Sequence, residues 1–142
     1  MAHAEHSVIV NRPIAEVFAF LADGTNNPSW RPDVTSIRHV FGSGVGAQFA
    51  QTMNGPGGRS IPGDYRITRY DGPTRLDFEV TDGRARPTGS FVLRETVPGS
   101  TEVTFTLDLK PRGLMVLMTP MINKQVRVEV ANIDKLAGAL GA

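Results

Sequence analysis

With 142 residues, 15 Lys and Arg against 14 Asp and Glu, and a formal net charge of +1, the chain lacks the excess of cations that an obligate nucleic-acid partner needs. It is 40% hydrophobic and has no Cys, which excludes disulfides, thiolate metal sites and cysteine nucleophiles and fits a cytoplasmic setting. The length fits one domain over residues 1–142, no apolar run nears the ~20 residues that cross a bilayer, and Met1–His6 lacks the basic and apolar stretches of a signal peptide.

Ser7-Val8-Ile9-Val10 reads as a first strand. Pro13 then opens a short helix with Ile14, Val17, Phe18 and Leu21 on one face, and Asp23-Gly24 ends it. Asn26-Asn27-Pro28-Ser29-Trp30-Arg31-Pro32 is a tight segment with one helical turn and the only Trp. From Val34 the apolar period becomes two. Strands are expected over Val34–Val40, Ala47–Met53, Asp64–Tyr70, Leu76–Val80, Gly89–Thr96 and Val103–Lys110. The breaks carry turn chemistry: Gly42-Ser43-Gly44-Val45-Gly46, Asn54-Gly55-Pro56-Gly57-Gly58, Asp71-Gly72-Pro73, Asp82-Gly83 and Pro98-Gly99. Connections this short imply one antiparallel sheet.

Arg112–Leu140 reads as one long helix, bent at Pro120. At 100° per residue, Met115, Met118, Ile122, Val126, Val130, Ile133, Ala137 and Leu140 form one stripe, which also carries Glu129. The expected fold is α+β: about seven curved antiparallel strands around a long C-terminal helix, with two short helices after the first strand. A bent sheet and a bent helix can enclose a cavity.

With that order in hand, the residues Ser7-Val8-Ile9-Val10-Asn11-Arg12-Pro13-Ile14-Ala15-Glu16-Val17-Phe18, Asp23, and Asn27-Pro28-Ser29-Trp30-Arg31-Pro32-Asp33-Val34 are similar to the START-like superfamily. So are Asp71-Gly72-Pro73-Thr74-Arg75-Leu76 and the Pro120 helix. More narrowly the chain resembles the bacterial polyketide cyclase/dehydrase and lipid-transport group. The resemblance covers nearly the whole chain and implies a helix-grip fold around a ligand cavity. Similar proteins include ligand carriers, hormone receptors, quinone-binding proteins and some aromatases or cyclases, so fold alone does not choose an activity.

The candidate cavity walls are Phe49, Met53, Phe78, Phe91, Phe105, Met118 and Ile122, with Tyr65 and Gln125 as polar contacts. Trp30 is either a core plug or a wall near the mouth. Glu129 is the one carboxylate inside the helix stripe: a candidate acid–base residue if buried, an ordinary edge residue if not. The Met115, Met118 and Met121 cluster can be core, cavity lining or, through Leu114, Leu117 and Met121, a homodimer surface. Gly42–Gly46 precedes a strand, so it reads as a hairpin turn rather than a phosphate loop. His3, His6 and His39 show no metal-ligand spacing, and no metal or cofactor is expected. Arg59, Arg66, Arg69, Arg84 and Arg86 read as a solvated rim. The leading expectation is a binder of a lipid, polyketide or aromatic metabolite; the alternatives are a polyketide cyclase or dehydratase and a dimerising interaction module.

Overall fold

The structure, a computed structural model, describes residues 2–141. One antiparallel sheet forms from β1 (Ala2–Val10), β2 (Val34–Phe41), β3 (Gln48–Asn54), β4 (Ser60–Pro62), β5 (Tyr65–Asp71), β6 (Arg75–Val80), β7 (Thr88–Val97) and β8 (Ser100–Leu109). The spatial order is β1-β8-β7-β6-β5-β3-β2, with β4 added to the end of β3. The path does not close on itself. Its inner face follows from strict alternation: in β8 Thr101, Val103, Phe105, Leu107 and Leu109 are buried, while Glu102, Thr104, Thr106 and Asp108 face outward.

Between β1 and β2 lie α1 (Ile14–Ala22), whose buried residues are Val17, Phe18 and Leu21, and a 3₁₀ turn over Gly24–Ser29. Asp23 caps this turn by accepting from the Thr25 amide. The α+β architecture agrees with the sequence expectation, and three elements differ in detail. β1 starts at Ala2, because Ala2 and Ala4 fill the inner face opposite Leu109 and Leu107 without giving a strong hydrophobic signal. β4 is additional. The C-terminal segment is not one bent helix. It comprises a 3₁₀ turn (Gly113–Met118), α2 (Thr119–Ala131), another 3₁₀ turn (Asn132–Lys135) and α3 (Leu136–Ala139).

Pro120 sits in the first turn of α2. There its missing N–H has no helical partner to lose, so it opens the helix instead of bending it. α2 packs on β1 and, to a lesser extent, β8. Val126, Val130, Ile133 and Leu136 anchor the segment, each buried; burial of such a side chain contributes roughly 1.5–3 kcal/mol.

Gly89 shows how tightly the inner face is packed. It pairs with Phe78 on β6 and Leu107 on β8. A Cβ at this position would run into the Phe78 ring and stand 3.0 Å from Leu107 Cδ2. Gly89→Ala is expected to lower stability by about 1–3 kcal/mol, read as a reduced urea midpoint at unchanged slope.

Candidate functional site

Strand register assembles the aromatic side chains. Phe91 and Phe105 are directly opposed on β7 and β8, and their rings stack at 4.6 Å. Phe49 and Tyr65 are opposed on β3 and β5 and stack at 5.1 Å. Phe78 lies between the pairs, 5.5 Å from Tyr65 and 5.9 Å from Phe91. The 3₁₀ turn after α1 delivers Trp30, which is only 2% exposed and meets Phe91 and Phe105 edge-on at 6.0 and 5.7 Å.

Of the residues anticipated for the cavity, Met53, Met118 and Ile122 do not join the others, while Trp30, Phe49, Tyr65, Phe78, Phe91 and Phe105 come together in one array. In this state they largely touch one another. The void bordered by Asn27, Arg31, Tyr65, Phe78 and Phe91 measures about 10 Å³, near the size of a single water site. Trp30 packs against Phe91 and Phe105, two of the rings that the sequence suggests as cavity walls.

Polar groups line that void. Asn27 Nδ2 donates to Gln51 Oε1 at 2.9 Å and to the Tyr65 hydroxyl at 3.1 Å. Gly24 makes this arrangement possible, since a Cβ there would collide with the Tyr65 oxygen. Burial pushes the Tyr65 hydroxyl up to about 12, partly offset by the Asn27 hydrogen bond and the Arg31 charge. Arg31 Nη2 donates to Glu129 Oε1 at 3.1 Å, with both side chains 8% exposed. The guanidinium also lies 5.8 Å from the Trp30 ring centre and 5.9 Å from that of Phe105. Among the described residues, the buried side-chain atoms without a hydrogen-bond partner are Trp30 Nε1, Arg31 Nε and Glu129 Oε2.

Sequence reasoning quoted Asn27 and Arg31 for the family likeness and passed over Gln51, assigning none of them to the site. Gln51 had one usable signal: it follows Phe49 by two residues, so it shares the inner face of β3. Glu129 is buried rather than at a wet edge. Met53 and Ile122 are half-buried at the margin. Gln125 is exposed and contributes nothing to the interior, because it lies on the outer flank of the Val126–Glu129–Val130 face. Met118 is 46% exposed. It belongs to the 3₁₀ turn, which advances about 120° per residue, so a stripe extrapolated at 100° loses its phase there. Leu114, Leu117 and Met121 are exposed.

A second concavity of about 380 Å³ opens where Ala19, Ala22 and Asp23 at the end of α1 meet the Gly42-Ser43-Gly44 turn, with Phe49 and Ile67 at its floor. This turn joins β2 to β3, with positive φ at Gly42, Gly44 and Gly46. The His residues serve local contacts: His3 pairs with Asp108, His6 with Asp134, and His39 Nε2 lies 2.5 Å from the Gly42 carbonyl oxygen. No group of three or more His, Asp or Glu suited to a metal occurs among the described residues. Arg66, Arg69 and Arg75 pair with Glu79, Asp71 and Asp77 along the rim.

The Arg31–Glu129 pair makes a direct prediction. Glu129→Gln leaves the buried guanidinium without its counter-charge and should cost about 3–5 kcal/mol. Arg31→Met combined with Glu129→Leu should recover most of that loss in the same urea titration. Tyr65 gives a pH prediction. Its hydroxyl is raised from 10.0 in the unfolded chain to about 12 when folded. The unfolded chain therefore releases this proton first, and the Tyr65 contribution to stability is whole below pH 10.0 and lost as pH rises through about 12. Tyr65→Phe should flatten that part of the alkaline stability profile.

Comparison with known proteins agrees with this geometry. The family described as polyketide cyclase / dehydrase and lipid transport matches residues 1–138. No curated protein matches the chain. Among solved structures, a protein from Thermus thermophilus superposes with a TM-score of 0.76 at 16% identity, covering 97% of this chain and 93% of its own. A START superfamily protein from Mycobacterium smegmatis gives 0.74 at 17% identity, covering 99% and 94%. The di-domain ARO/CYC BexL from the BE-7585A biosynthetic pathway gives 0.69 at 20% identity, covering 94% of this chain and 45% of that one. At such identities these likenesses show the fold alone. The family match, which leaves out only the last few residues, settles the affiliation: the chain belongs to the polyketide cyclase/dehydrase and lipid transport family.

Proposed function

We propose that residues 1–142 act as one ligand-binding domain that takes up a hydrophobic or amphipathic small molecule without covalent chemistry. The apolar body would lie on the Phe78, Phe91 and Phe105 face, beneath the C-terminal helix. Its polar end would meet Arg31, Glu129 and Tyr65. One observation carries this reading: Trp30 Nε1, Arg31 Nε and Glu129 Oε2 are buried together and unpartnered. A buried polar atom without a partner costs roughly 1–3 kcal/mol, and a guest bearing both a donor and an acceptor would relieve that cost.

Room for such a guest requires movement. The 3₁₀ turn Gly113–Met118 has no fully buried residue and packs on the core only through the half-buried Met115, so displacing it sacrifices little apolar contact. The back of the segment, from Val126 to Leu136, stays anchored.

Two features favour binding over catalysis. Glu129 Oε1 is engaged by Arg31. The Tyr65 hydroxyl, at about 12, keeps its proton near neutral pH and serves as a hydrogen-bond donor. A cyclase would need a group able to move a proton at that pH.

Native mass spectrometry of the protein purified from its own host should show a retained small molecule. Trp30, the sole Trp, reports on the same space: titration with a long-chain fatty acid or a polycyclic phenol should shift its emission, and Arg31→Met should weaken that response at least tenfold, since a hydrogen bond to a charged group contributes about 1.5–3 kcal/mol. A protein free of bound mass, with Trp30 emission indifferent to both probes, would overturn the proposal.

A further inference from the structure

The front of the C-terminal segment carries a surface that the interior does not explain. Leu114 is 84% exposed, Leu117 81%, Val116 55%, Met121 52% and Met118 46%. A soluble chain rarely leaves so many large apolar side chains together in water without a partner. The charges around them are of one sign. Lys110 and Arg112 precede the patch, and Lys124 and Arg127 follow it. All four are exposed, and none is in an ion pair among the described residues. No carboxylate lies between Asp108 and Glu129, and Glu129 itself is buried against Arg31. Four of the chain's 15 cations and none of its 14 carboxylates thus fall within residues 110–128, which leaves the remainder of the chain net negative.

From this juxtaposition we propose that residues Lys110–Val128 dock on an anionic lipid surface, with Leu114, Leu117 and Met121 inserted among the acyl chains and the four cations at the headgroups. Adaptable Leu and Met side chains flanked by Lys and Arg are the composition that interfacial docking uses. Each cation near an anionic surface contributes about a fivefold gain in binding. Among the described residues no helix is long and apolar enough to cross a membrane, so the proposed contact is at the interface. A second copy of the chain is a poorer occupant. A two-fold interface sets the same patch against itself, which would bring like cations together with no carboxylate among them. The proposal stands independently of what the interior binds.

The test is cosedimentation of the full chain with phosphatidylcholine vesicles, with and without phosphatidylglycerol, alongside light scattering of the protein alone. The expected result is binding to the phosphatidylglycerol vesicles, much weaker binding to phosphatidylcholine, and release by salt. Leu114→Asp with Leu117→Asp should abolish binding. Lys124→Gln with Arg127→Gln should lower the partition coefficient roughly thirtyfold. All four side chains are exposed, so unchanged circular dichroism should accompany both variants. Failure to bind phosphatidylglycerol vesicles, or binding that the Asp variants leave intact, overturns the proposal. So does a dimer in light scattering that Leu117→Asp dissolves.

Discussion

The interior depends on one buried ion pair. Arg31 leaves the turn after α1 and Glu129 comes from the last turn of α2, and they meet 98 residues apart in sequence. Neither charge could be buried alone, because an unpaired ion in a low-dielectric interior costs several kcal/mol. The contact therefore sets two positions together: where the Asn27–Arg31 segment folds inward, and at which level α2 crosses the sheet. Trp30, next to Arg31 in the chain, is carried into the aromatic array by the same constraint. A pair of apolar residues would hold the elements together as well or better. The chain pays for the polar version, so stability alone does not account for its being there.

Much of the architecture was legible in the sequence because it arises from local periodicity. The alternation through Val103, Phe105, Leu107 and Leu109 sets the phase of β8, and the Phe105 ring lands on the inner face as a result. The same reasoning places Phe78 and Phe91. Of the polar groups, Tyr65 and Glu129 were legible, but their partners were not, for a physical reason. Asn27, Gln51 and Tyr65 come from a turn and two strands, and nothing in the local pattern of any one announces the other two. Arg31 and Glu129 are likewise joined only by the tertiary fold. The errors at the front of the last segment have a different origin. Periodicity arguments assume one helical phase, and the 3₁₀ turn before Thr119 breaks it. Met118 is therefore left facing water, while Val126 and Val130 keep their expected burial.

The C-terminal segment is thus divided by Pro120 into parts of different character. Behind it, Val126, Val130, Ile133 and Leu136 bind the helix to β1 and β8. Ahead of it, Gly113–Met118 has no fully buried residue and touches the core only through Met115. Local opening free energy follows the apolar area that must be exposed, so the front can part from the sheet while the back holds. The division also puts the ion pair on the anchored side: Glu129 lies within the buried stretch, so opening the front need not break its contact with Arg31.

That asymmetry bears on why the interior is filled. A large dry hollow lined by Phe78, Phe91 and Phe105 would forfeit dispersion contacts on every wall. Trp30 removes that loss by packing edge-on against two of those rings. This packing nevertheless keeps a residual cost, because Trp30 Nε1, Arg31 Nε and Glu129 Oε2 find no partners within it. An interior with these two properties is well packed against hydrocarbon yet unsatisfied toward polar atoms. It should therefore discriminate by the polar end of a guest more than by its apolar body: a pure hydrocarbon would have to displace the Trp30 contacts with nothing to offer the orphaned atoms, whereas an amphipathic molecule recovers both terms at once.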